Sequence, residues 1–153
     1  MQTFMPWPEF DWSARCLNDR ELDALRVDIH KIMEALLHGG TGWDEHPAVL
    51  MWEGHERALL AYQQAVCCEW SSVRGYEDEY WDKTRLMFLD IVLNPMATPL
   101  ILPIWVGDED FHISQQSALL RIDEDHYRRY FPGIKTDHPY IWPDQQIKET
   151  TDE

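Results

Sequence analysis

The sequence predicts an all-α fold, a compact single-domain helical bundle with irregular, aromatic-rich N- and C-terminal arms. Three observations predict it. Apolar residues recur at helical spacing in four segments, each punctuated by capping residues. Runs with the two-residue period of a strand are scarce. Finally, 44% of the 153 residues are apolar, with eight Trp, enough to build one core.

The first predicted helix is "DRELDALRVDIHKIMEALLHGG". It opens behind Asn18, an N-cap type, with Glu21 three residues on as in a capping box, and closes on Gly39-Gly40. At about 100° per residue, Leu22, Leu25, Ile29, Ile32, Met33, Leu36 and Leu37 gather into the core stripe. "HERALLAYQQAVCCEWSSVRG" repeats the pattern with Leu59, Tyr62, Val66, Trp70 and Val73. "YEDEYWDKTRLMFLDIVLNP" reads as a third helix stopped by Pro95. The proline-bearing "MATPLILPIWVGD" reads as a loop or extended link. "GDEDFHISQQSALLRI" is a fourth helix, and "DEDHYRRYF" adds a short turn. The chain is irregular from Pro132, giving a single domain over 1–143 and a flexible acidic tail over 144–153.

Charge narrows the function. Thirteen Lys plus Arg, only four of them Lys, face 28 Asp plus Glu, for a net −15. Duplex binding draws on a basic surface that neutralises phosphates, so this balance disfavours DNA unless the arginines converge. It suits solubility, a high-salt cytosol or a cationic partner. No apolar run reaches the roughly 18 residues of a membrane span, and "MQTFMPWPEF" lacks signal-peptide regions, so the expected location is cytoplasmic. Cys16, Cys67 and Cys68 lack metal or redox spacing and read as buried free thiols.

Three clusters carry candidate chemistry. On the first helix Asp23, Arg26 and His30 share one flank, roughly 100° from the centre of the apolar stripe. That border is where a pocket between helices exposes side chains, and it equally suits an ordinary surface ion pair with a neighbouring His. Asp28 lies on the opposite flank and reads as a surface residue or a partner for another helix. The second cluster is "HPAVLMWEGHERALL", with His46, His55 and Glu56; its spacing matches no zinc pattern, and no metal or other cofactor is expected. The third, "FHISQQSALLR", puts His112, Gln116 and Arg121 near one face. Ser114 and Ser117 there have no assignable His-Asp partners.

Three segments together resemble the pyrimidine-dimer DNA glycosylase family typified by phage endonuclease V. They are "MQTFMPWPEFDWSARCLNDRELDALRVD", "HPAVLMWEGHERALLAYQQAV" and "PIWVGDEDFHISQQSALLRIDEDHYRRYFPGI…PYIWP". They are most similar to a branch of small bacterial proteins that often begin "MQTF". The resemblance implies the all-α endonuclease V fold and an N-glycosylase with an associated AP-lyase step in DNA repair. A chain-terminal α-amine attacks the sugar's anomeric carbon, and a carboxylate on an early helix stabilises the cation. An α-amine has a pKa near about 8, so at neutral pH far more of it is a free nucleophile than of a Lys amine.

Carried onto this chain, the resemblance matches the early-helix carboxylate to Asp23 and the arginine after it to Arg26. It matches His55 to the "GH" of the mid-chain run, Arg121 to a basic phosphate contact, and Tyr127 and Arg128 to an aromatic-basic segment. Gln2 is too large for removal of the initiator, so the amine belongs to Met1. The catalytic candidates are therefore Met1, Gln2, Asp23 and Arg26. The substrate-binding candidates are His30, His55, Glu56, His112, Arg121, Tyr127 and Arg128. Where the branch runs "LGKQRVE" this chain has "LDALRVD", losing a Lys and a Gln, and basic groups are also missing from "HISQQSALLRID". Three functions fit: a glycosylase/lyase on damaged DNA, a divergent enzyme on a small molecule (nucleoside, amine or sugar), or an acidic module that binds a basic protein.

Overall fold

The computed structural model describes residues 1–143, so the predicted tail at 144–153 lies outside the described residues. Eight α-helices occur among them: α1 Phe10–Cys16, α2 Asp19–His38, α3 Pro47–Leu50, α4 Glu56–Cys68, α5 Tyr80–Met87, α6 Leu89–Leu93, α7 Glu109–Ile122 and α8 Glu124–Tyr127. The described residues contain no strand. The long predicted helices appear as α2, α4 and α7; the short α1 and α3 were not expected.

Local chemistry sets the boundaries. The Asn18 side chain accepts from the Glu21 N–H at 2.8 Å, starting α2. Gly39, with φ of 68°, ends it through a bond from its N–H to the Ala35 carbonyl. Asp108 caps α7 by accepting from the Phe111 N–H at 3.0 Å. The predicted third helix is broken. Residues 76–79 are non-helical, and Phe88 (φ −121°, ψ 40°) separates α5 from α6. Phe88 is buried, and burying it takes the chain out of helical phase.

The core stripe of α2 is as predicted at Leu22, Leu25, Ile29, Ile32 and Met33, all buried, while Leu37 is 44% exposed. On α4, Leu59, Tyr62 and Val66 are fully buried. Beyond Cys68 the helix widens into a π-turn over Glu69–Val73. The wider turn shifts the angular phase and throws Val73 into solvent. Cys16 and Cys67 are buried free thiols as expected, but Cys68, one residue round the helix, is exposed.

The N-terminal arm matters most for function. Thr3 to Pro6 run buried through the bundle with side chains satisfying their backbone. The Tyr62 hydroxyl donates to the Phe4 carbonyl at 2.5 Å. The Met5 N–H donates to Gln115 Oε1 at 3.3 Å, and Gln116 Nε2 donates to the Pro6 carbonyl at 2.8 Å. Trp52 Nε1 donates to Thr3 Oγ1 at 2.9 Å. These bonds hold the first residues in one place against α2.

Candidate active site at the chain terminus

The arm delivers Met1 and Gln2 to one flank of α2. There a cavity of about 110 Å³ is lined by Met1, Gln2, Phe4, Glu21, Ala24, Leu25 and Asp28. The lining residues of α2 sit at i, i+3, i+4 and i+7, a single line along a helix. The Gln2 N–H donates to Asp28 Oδ2 at 3.4 Å. Burial pushes the Asp28 carboxyl above its ordinary range, opposed by that bond and by the positive terminal amine, Lys31 and His46. Burial also raises Glu21, with Arg20 pulling it down. Two half-buried carboxyls with raised affinity for protons therefore flank the terminus. Two cations, Arg20 and Lys31, stand beside them in an otherwise acidic chain.

Glu21 is free to face this cavity because the capping box is completed differently from the expected pattern. The Asn18 N–H donates to the Tyr127 hydroxyl at 3.0 Å. His46 stands near the terminus and Asp28 without lining the cavity. Its Nδ1 accepts from the Ala48 N–H at 3.0 Å, capping α3, so the neutral ring carries its proton on Nε2. The ring packs edge-on to Trp43 and Trp142, with centroids 5.7 and 5.9 Å away. Burial first, then the positive terminus, lower the His46 pKa.

The carboxylate read from the sequence, Asp23, lies elsewhere on α2. Asp23 does not line the terminal cavity. It faces away and binds Arg26 Nη2 at 2.6 Å. Arg26 in turn binds Asp78 at 2.5 Å, and its guanidinium lies over Trp70 and Tyr80. His30 completes the stripe by bonding Thr84 Oγ1 through Nδ1 at 3.2 Å. Residues 69–84 cover this flank, so Asp23, Arg26 and His30 form an interhelix clamp. The physical reason is a turn of roughly 140° around the helix between Asp23 and Asp28, which no side chain bridges. A signal for Asp28 was present: "LDALRVD" set against "LGKQRVE" places Asp28 opposite the branch's glutamate.

The remaining candidates lie away from the terminal cavity. His112 is buried; its Nδ1–H donates to the Met5 carbonyl at 2.9 Å and its Nε2 accepts from the Gly107 N–H at 2.9 Å. Both nitrogens are committed, and Gly107 makes that approach with φ of 97°. Tyr127 is fully buried. Arg121 donates to the Thr136 and His138 carbonyls, tying down the C-terminal arm. Ser117 Oγ donates to the Lys135 carbonyl and Ser114 Oγ to that of Phe111, which leaves neither poised as a nucleophile. Arg128 bonds the Ile134 carbonyl and Glu124. His55 bonds the Ile101 carbonyl, and Glu56 accepts from the Gly54 N–H. None of these lines the terminal cavity.

Among the described residues no group of three or more His, Cys, Asp or Glu is placed to hold a metal ion. No helix there is long and apolar enough to cross a membrane.

The described residues are all-helical, and a buried arm sets the first of them against acidic side chains of α2, the longest helix. The chain is a member of the pyrimidine dimer DNA glycosylase family, whose model matches residues 1–84. That span contains the arm, α2 and the whole terminal cavity. Neither the curated proteins nor the solved structures hold a match to the chain.

Proposed function

We propose that the protein is an N-glycosylase for damaged nucleotides in DNA, with a lyase step at the resulting abasic site. The Met1 α-amine is the nucleophile and Asp28 its carboxylate. The observation that carries this is the seating of Met1 and Gln2 beside Asp28 in a cavity open to solvent. The free amine attacks C1′ and the C1′–N bond breaks, the base leaving with the electron pair and a proton. The amine nitrogen then forms a protonated imine with the opened sugar. Removal of a C2′ proton expels the 3′ phosphate. Asp28 and Glu21 stand where a cation would form, and their raised proton affinity suits them to moving those protons. Arg20 and Lys31, the cations that act on these two carboxyls, would meet a phosphate.

Borohydride reduction of a mixture with dimer-containing or abasic duplex should trap a covalent adduct. Acetylating the α-amine should abolish trapping and Asp28→Asn should reduce it about 100-fold, while Asp23→Asn leaves it near wild type. No adduct at low salt ends this proposal.

One observation favours a second reading, an enzyme on a small molecule. A cavity of about 610 Å³ is lined by Trp7, His112, Gln116, Tyr130 and Phe131 among others, with a mostly apolar wall. Saturable binding of nucleosides to that cavity, without any adduct on DNA, would favour it.

A further inference from the structure

Residues 86–107 contain one charged side chain, Asp90, in a chain of net charge −15. They form the end of α5, α6, a 3-10 turn over Pro95–Ala97 and the proline-bearing link to α7. Their large aliphatic side chains point outward: Leu86 is 56% exposed, Leu93 78%, Met96 89%, Leu100 51%, Ile101 58% and Ile104 83%. The segment is held in place. Arg57 donates to the Thr98 carbonyl, the His55 ring donates to the Ile101 carbonyl at 2.9 Å, and Trp105 is buried with its indole N–H on the Met51 carbonyl. Among the described residues nothing lies over this apolar surface.

We propose that this face docks a second copy of the same chain, giving a two-fold dimer. Area supports it. The six side chains together expose on the order of 800 Å², about what each partner contributes to a standard interface. Charge supports the choice of occupant. Two copies repel wherever carboxylates face each other, and this is a surface that brings two chains together while burying almost no charge. A two-fold contact sets the patch on itself, so apolar meets apolar without needing a separate complement. An anionic lipid surface suits the patch poorly, since only a few cations such as Arg57 and Arg85 stand beside it in a chain of net charge −15.

Sedimentation and light scattering of the full chain test this. The expected result is a species of twice the 18.2 kDa chain mass, at concentrations up to about 100 µM. It should tighten as salt screens the net charge. Met96→Glu and Ile104→Glu, each at a position exposed in the single chain, should leave helicity intact and weaken dimerisation at least about tenfold. A wild-type chain that stays monomeric at low and high salt overturns the proposal. So does a dimer that both variants leave unchanged, or a monomer that pellets with zwitterionic vesicles. The readout is mass, so the result is independent of any DNA activity.

Discussion

Replacing Asp78 should cost more stability than any other single carboxylate on the α2 clamp. The Asp78 side chain is 5% exposed and that of Arg26 9%, and they meet at 2.5 Å. Asp78 also accepts the Tyr80 and Trp81 N–H groups at 3.1 and 3.0 Å, starting α5. Asp78→Ala therefore leaves a buried guanidinium short of a partner, worth about 3–5 kcal/mol for a buried pair, and removes a cap worth about 1 kcal/mol. The half-exposed Asp23 remains on Arg26 and offsets part of this, which puts the expected loss at about 3–4 kcal/mol. Asp78→Asn keeps an acceptor for the cap and should lose about 1 kcal/mol less. Asp23→Ala, removing a partner 51% exposed, should lose about 1 kcal/mol or less.

Urea unfolding followed by Trp fluorescence measures all three. Acid titration adds a second check. Burial would raise Asp78, but the Trp81 N–H, Arg26 and the Tyr80 N–H outweigh it and hold the carboxyl below its ordinary 3.8. A depressed carboxyl contributes stability that is present above about pH 4 and lost as pH falls through its folded value. The wild type should lose that increment in acid and Asp78→Asn should not. If Asp78→Ala unfolds within about 1 kcal/mol of the wild type, the clamp does not hold the helices together.

Asp28→Asn should weaken borohydride trapping and yet raise the midpoint of thermal unfolding near neutral pH. A carboxyl whose pKa rises on folding contributes stability below its unfolded pKa and loses it as pH climbs through the folded value, so removing the charge relieves the fold. Tyr127→Phe should destabilise by about 1–3 kcal/mol, because the Asn18 N–H loses its acceptor. Its trapping on abasic DNA should be unchanged, which distinguishes a structural tyrosine from a substrate contact. His112→Ala should do both kinds of damage. It frees the Met5 carbonyl from α7, so unfolding measurements should show a loss of about 2 kcal/mol. Adduct yield should fall as the terminus loses its seat.

The helices α2, α4 and α7 were legible in the sequence because periodicity and capping are local. Asn18 before Glu21, Gly39 after the last turn and a leucine every third or fourth residue mark a helix wherever it packs. Local rules break where packing overrides them. The burial of Phe88 splits a predicted helix, and the π-turn at Glu69–Val73 turns Val73 outward. The family was legible too, in the order of three quoted segments. Which carboxylate of α2 the terminus lies beside was not. Asp23 and Asp28 lie on one helix with similar flanking residues, and nothing local distinguishes a flank that will be covered from one left open. Residues 69–84 return from far along the chain to pack on Arg26 and His30 beside Asp23, and the Thr3–Pro6 arm, held by α4 and α7, brings the terminus to Asp28. Composition and period determine where a helix forms and which face is greasy; only long-range packing decides which of its polar faces meets solvent, a partner or a substrate.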